Sequence, residues 1–146
     1  MRSILDRLTD KPLPEDSGRG MSLLEFRDLV SRDLEALLNT RSEAARVLPE
    51  AFVECRKSSL TFGIPDFSSY SLLSPRDRDR IRKVLEQAIG LHEPRLTRVK
   101  VQLEGQRAYE RALRFRVEAL MNLGADREKV QFDAVLQLNT QSYQVR

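Results

Sequence analysis

Leu91-His92-Glu93-Pro94-Arg95-Leu96 marks a change of period in the chain. Upstream, Ser74-Pro75-Arg76-Asp77 opens a helix: Ser74 caps, Pro75 suits the first helical position, and Asp77 lies in the first turn. Ile81, Val84, Leu85, Ala88 and Ile89 then follow the spacing of one apolar helix face. Gly90 is the expected stop, because glycine accepts the left-handed conformation past a helix end. Pro94 forbids continuation and drives Glu93 into an extended conformation. An acid and a base flank that proline. This is where the helical part is expected to be fastened to a sheet, and where a partner is expected to read the protein.

Downstream the period is two. Val99, Val101 and Leu103 alternate with Lys100, Gln102 and Glu104. Leu113, Phe115, Val117 and Ala119 alternate with Arg114, Arg116 and Glu118. Val130, Phe132, Ala134, Leu136 and Leu138 alternate with mostly polar residues, and Tyr143 and Val145 fit a short last strand. The connections around Gly105 and Gly124-Ala125-Asp126 are too short for parallel crossovers, so the strands are antiparallel. One face of such a sheet must be covered. The expected fold is α+β: two main amphipathic helices on one face of a small antiparallel sheet of three to four strands.

Nearer the start, Ser22-Leu23-Leu24-Glu25 reads as a capping box. Leu23, Phe26, Val30, Leu34, Leu37 and Leu38 continue it as an apolar stripe to about Asn39. Asn39-Thr40-Arg41-Ser42 breaks the helix, and Arg41 reads as either a surface charge or an anchor for the following loop. Phe52, Val53 and Cys55 fit a short helical turn or a short strand. Leu60, Phe62, Ile64 and Phe67 mark a structured loop that packs on something, with Gly63 allowing a positive φ and Pro65-Asp66 favouring a turn. Lys11 to Gly20 reads as a linker, with two prolines and two glycines. Residues 1–20 are therefore expected to be a docking segment and linker, and residues 21–146 one domain. Ile4, Leu5 and Leu8 have a reason to be apolar if they dock on a partner.

Composition narrows the class. A chain of 146 residues is one domain by length. A hydrophobic fraction of 40% with 32% charged residues suits a folded, soluble domain. No apolar run approaches a membrane span, Asp6 and Arg7 interrupt any signal-peptide core, and Cys55 is alone. These point to the cytoplasm. The 25 basic residues are interleaved with 22 acidic ones, so the small excess argues only weakly for a nucleic-acid partner. Arg76, Arg78, Arg80 and Arg82, alternating with Asp77 and Asp79, read as a solvated, internally paired face.

Three motifs in order resemble a known family: Leu37-Leu38-Asn39-Thr40-Arg41, then Phe62-Gly63-Ile64-Pro65-Asp66, then Glu93-Pro94-Arg95-Leu96 before a valine-rich strand. The family is the baseplate wedge and sheath-initiator family of contractile injection machines, nearest by pattern its type VI secretion branch. Leu5-Asp6-Arg7-Leu8 fits it too, so the resemblance covers nearly the whole chain. Phe62 stands where a tyrosine is usual, and His92 where an aromatic is common; both keep a ring. The resemblance implies a small α+β domain with no cofactor and no metal, seated in the wedge beside TssF and TssG. TssK and the sheath subunits TssB and TssC are further implied partners, with no direct membrane insertion. It implies a subunit that templates the first sheath ring, at a baseplate docked to the inner-membrane complex. Members are sometimes labelled lysozyme-like.

The expected partner-binding residues are Glu93, Pro94 and Arg95 at the corner, Leu5 and Leu8 in the N-terminal segment, and Tyr143 and Val145 on the last strand. Glu93 and Arg95 have an internal reading, an ion pair tying helix to strand, and an interface reading. The resemblance favours the interface, where a guanidinium makes forked contacts. The last strand reads either as a blunted edge or as an edge to which another chain adds a strand. A hydrolase would need a carboxylate pair, and no spacing among Glu25, Glu35, Asp66 and Glu93 singles one out. His92 has no nucleophile near it in sequence, so no catalytic residue is expected. A baseplate component therefore ranks first, a cell-wall hydrolase second and a nucleic-acid-binding domain third.

Overall fold

The computed structural model describes residues 22–105, 112–124, 126–137 and 142–146; for residues 112, 136, 137, 142 and 143 it describes the backbone alone. The N-terminal segment, Leu5 and Leu8 included, lies outside the described residues. Helix α1 spans Leu23–Asn39. The capping box forms as expected: Glu25 N–H donates to Ser22 Oγ at 3.2 Å and Ser22 N–H to Glu25 Oε2 at 2.8 Å. Phe26, Val30, Leu34, Leu37 and Leu38 bury the inner stripe, each contributing about 1.5–3 kcal/mol by burial. Leu23 begins that stripe in sequence but stays exposed at the helix start.

Two short helices follow, α2 (Ala44–Val47) and α3 (Val53–Arg56), then a 3-10 turn at Ser59–Thr61. This resolves the ambiguity at Phe52–Cys55 in favour of helix. The loop does pack, through Ile64, which is fully buried, and through half-buried Phe62 and Phe67. Leu60 departs from expectation and is exposed, because the 3-10 turn directs Thr61 inward instead. Arg41 proves to be an anchor. Its guanidinium donates to Leu38 O at 2.8 Å and its backbone bridges to Ile64.

Helix α4 spans Pro75–His92, with Ser74 capping and Pro75 in the first turn. Ile81, Leu85 and Ile89 are its buried face. Gly90 does not stop it. The helix continues through Gly90 to His92, and Glu93 N–H still reaches Ile89 O at 2.9 Å. The stop is Pro94, which excludes the helical conformation at Glu93.

Four strands form one antiparallel meander in the order β1 (Leu96–Leu103), β2 (Ala112–Asn122), β3 (Arg127–Gln137), β4 (Ser142–Val145). Leu113, Phe115, Val117, Ala119 and Met121 of β2 and Phe132 and Ala134 of β3 face the helices. Strand β1 carries a bulge between Thr97 and Lys100, where Arg98 has φ 53°. The extra residue lets Leu96 and Val101, five positions apart, both bury. Strict alternation could not have placed them on one face.

Candidate functional site

The corner where α4 meets β1 is built around one guanidinium. Arg95 donates through Nε to Glu93 Oε1 at 2.7 Å and through Nη2 to Glu93 Oε2 at 2.6 Å, a forked contact. The same Nη2 reaches Asp33 Oδ2 of α1 at 2.6 Å. Arg95 Cζ also lies 5.9 Å from the centroid of the Phe26 ring. Its carbonyl accepts from Asn122 N–H of β2 at 2.9 Å. Arg95, in the turn that joins α4 to β1, thus also holds α1 and β2. The Glu93 carboxylate beside Arg95, with Asp33 behind it, raises the guanidinium pKa despite partial burial. Glu93 is only 5% exposed, so this is a buried charge with its partner in place. The internal pair weighed for Glu93 and Arg95 is thus present.

Around the pair the surface opens. Leu23, Phe26, Pro94, Arg95, Leu123 and Asn122 line a groove of about 600 Å³. Pro94 is exposed, Leu23 is exposed at 40%, and neighbouring Leu24 at 68%. Asn122 also lines the groove, and its Oδ1, buried beneath the surface, has no hydrogen-bond partner among the described residues. Buried acceptors are ordinarily satisfied. Sequence reasoning found Pro94 and Arg95 but missed Leu23, Asn122 and Leu123, since nothing in periodicity says they converge.

His92 fills the other side of the corner. Its ring meets Phe62 edge-on, centroids 5.5 Å apart, and its Nε2 lies 3.5 Å from Thr61 Oγ1. Burial lowers its pKa. Nearby, Gly63 adopts φ 124° and lies so close to α1 that a Cβ would stand 2.6 Å from Thr40 O. Ile64 N–H donates to that same Thr40 O at 2.9 Å.

The two ends of the sheet are edges of different character. At β4, the Asp133–Arg146 pair exchanges both backbone hydrogen bonds at 2.8 Å. Alternation then turns the N–H and C=O of Tyr143 and Val145 away from β3. The Val145 side chain is buried in this chain's own core, at 8% exposure. Its outward backbone is met by α1: Ser31 Oγ donates to Val145 O at 3.3 Å, and Val145 N–H to Glu35 Oε2 at 3.4 Å. At β1, Val101 N–H donates to Glu86 Oε1 at 2.9 Å. Glu86 is in turn held by Arg82, which contacts both carboxylate oxygens at 3.0 Å. The arginine run of α4 is internally paired at Arg82, as expected, and Arg78 donates to Glu104 O at 3.2 Å.

None of the carboxylates considered for hydrolysis stands idle. Glu25 caps α1, Glu35 meets Val145, Glu93 holds Arg95, and Asp66 accepts from Ser68 N–H and Oγ–H, which lower its pKa. Among the described residues no cluster of three or more His, Cys, Asp or Glu could hold a metal, and no helix is long and apolar enough to cross a membrane.

The fold is a small single-domain α+β architecture, with helices on one face of an antiparallel four-stranded sheet. The chain belongs to the baseplate wedge protein gp25 family, whose sequence model matches residues 24–125. The match spans α1 through β2 and includes the whole corner. No curated protein matches the chain. Baseplate wedge proteins are structural parts of phage-tail-like assemblies, so interaction with other baseplate components follows from membership.

Proposed function

We propose that the chain is the TssE-type wedge subunit of a type VI secretion baseplate, that it binds TssF and TssG, and that it starts polymerisation of the TssB–TssC sheath. The observation that carries the partner-binding half is the groove beside Pro94 and Arg95, with exposed Leu23 on its rim and Phe26 and Leu123 in its lining. A partner segment with an apolar side chain would complete it. Arg95 itself is engaged within the domain, so its part is to hold Pro94 and the groove in shape. The sheath-starting half rests on the outward backbone of Tyr143 and Val145, to which an extended segment can add as a strand. TssK is a further expected neighbour.

The same reading makes residues 1–20 a docking segment in which Leu5 and Leu8 are buried on a wedge partner, and places the protein in the cytoplasm at the baseplate. It is a reading without catalysis. The carboxylates a lysozyme-like activity would require are occupied in capping and pairing.

Leu23→Glu tests it. Leu23 is already exposed, so the domain should fold, whereas a charge on the groove rim should abolish co-purification with TssF and TssG. Retention of both partners at wild-type level would move the wedge contact elsewhere. Arg95 substitutions are less informative here, because they also weaken the fold.

A further inference from the structure

Both free edges of the sheet are occupied by a helix, and they are occupied unequally. Helix α4 holds the β1 edge through one carboxylate: Glu86 takes Val101 N–H at 2.9 Å while Arg82 pins that carboxylate through both oxygens. Helix α1 holds the β4 edge through two polar side chains four positions apart that meet one residue: Ser31 donates to Val145 O at 3.3 Å, and Glu35 accepts from Val145 N–H at 3.4 Å. Beyond the end of β4, Arg27 donates to Gln131 O of β3 at 3.1 Å. One donor and one acceptor offered to the same residue is what a neighbouring antiparallel strand's backbone presents. The Val145 contacts are long for N–H···O and O–H···O bonds, hence weak. Between α1 and the end of β4 lies an open groove of about 760 Å³ lined by Arg27, Ser31, Glu35 and Val145.

We propose that Ser31 and Glu35 are releasable place-holders for a partner strand. They satisfy the outward backbone of Val145 in the free protein, and an extended segment of the sheath displaces them as it pairs with Tyr143 and Val145. Glu86 is a fixed stopper by contrast, so addition runs from the β4 edge only. An unprotected edge invites pairing with the wrong chain, including a second copy of this one. The place-holders delay pairing until a strand offers several backbone bonds together. This rests on the strand-addition half of the proposed function.

The test uses the full chain with the sheath subunits TssB and TssC as probe. Ser31→Ala with Glu35→Ala should raise amide exchange at Val145 about tenfold, because the Val145 N–H loses its acceptor on Glu35. The same variant should bind sheath subunits more tightly and self-associate at lower concentration. Glu86→Ala should expose the Val101 amide without adding any sheath binding. Tyr143→Pro removes an outward N–H while sparing the β3 ladder, and should abolish binding in either background. Unchanged sheath affinity in the double variant, with Tyr143→Pro still abolishing binding, would overturn the place-holder role and leave strand addition standing. Full binding by Tyr143→Pro would overturn both.

Discussion

Arg95 and Asp33 meet at 2.6 Å although 62 residues separate them in sequence. That contact ties α1 to the turn between α4 and β1, and it is made by a guanidinium already clasped by buried Glu93.

Removing Arg95 leaves Glu93 buried without its partner. Arg95→Ala is expected to cost about 3–5 kcal/mol, the usual range for breaking a buried pair from one side. Chemical denaturation would measure it. Glu93→Gln combined with Arg95→Met removes both charges and should cost less than Arg95→Ala alone. If the double variant proves less stable than the single one, the buried charge is not the source of the loss.

Asp33→Ala should be milder, about 1–2 kcal/mol, because the Glu93–Arg95 fork survives it. A double-mutant cycle between positions 33 and 95 should give clear coupling. Additive losses would mean the Asp33 contact is idle.

Gly63→Ala meets two obstacles at once, a left-handed φ and the carbonyl of Thr40 at 2.6 Å. Roughly 1–3 kcal/mol of destabilisation is expected from the backbone conformation alone. Thermal melting would show it, and amide exchange should locate the loosening at Ile64, whose N–H shares that carbonyl. A melt identical to wild type would show that the loop shifts freely, against the close approach seen here.

His92 gives the corner a pH dependence. Its folded pKa lies below the ordinary 6.5 because burial penalises the charged ring. Below pH 6.5 the unfolded chain therefore takes up the proton more readily than the folded one. Stability contributed by the neutral ring is full above that value and is lost as pH falls toward the folded pKa. Denaturation midpoints taken between pH 7.5 and 5 should decline, less so in His92→Phe. A proton-NMR titration with its midpoint above 6.5 would contradict the cause given.

Much of this was legible in the sequence, for local reasons. Ser22 with Glu25, Ser74 with Pro75, and the alternation through Phe115 and Val117 are decided by neighbours within a turn or a strand pair. Gly90 misled, because a glycine is a good end only where something else ends the helix, and Pro94 lies four residues on. The bulge at Arg98 carries no periodic signal, as it is imposed by the need to bury both Leu96 and Val101. The site was half visible. Glu93-Pro94-Arg95 stood out as a motif, whereas Asp33, Leu23 and Asn122 are brought there only by tertiary packing. The exposure of Val47, Phe52 and Val53 was equally illegible, since an apolar residue in a short helix reads the same whether it is covered or bare.

The clasp of α1 on β4 has a consequence in time. Ser31 and Val145 are 114 positions apart, and Glu35 and Val145 110. Closing a loop of that size forfeits far more chain freedom than forming the β2–β3 hairpin, and the two bonds gained are weak ones. The clasp is therefore expected to form late in folding and to open early under stress. Until Val145 has been synthesised, the outer flank of α1 stays uncovered, so a partly made chain cannot present a finished edge to anything.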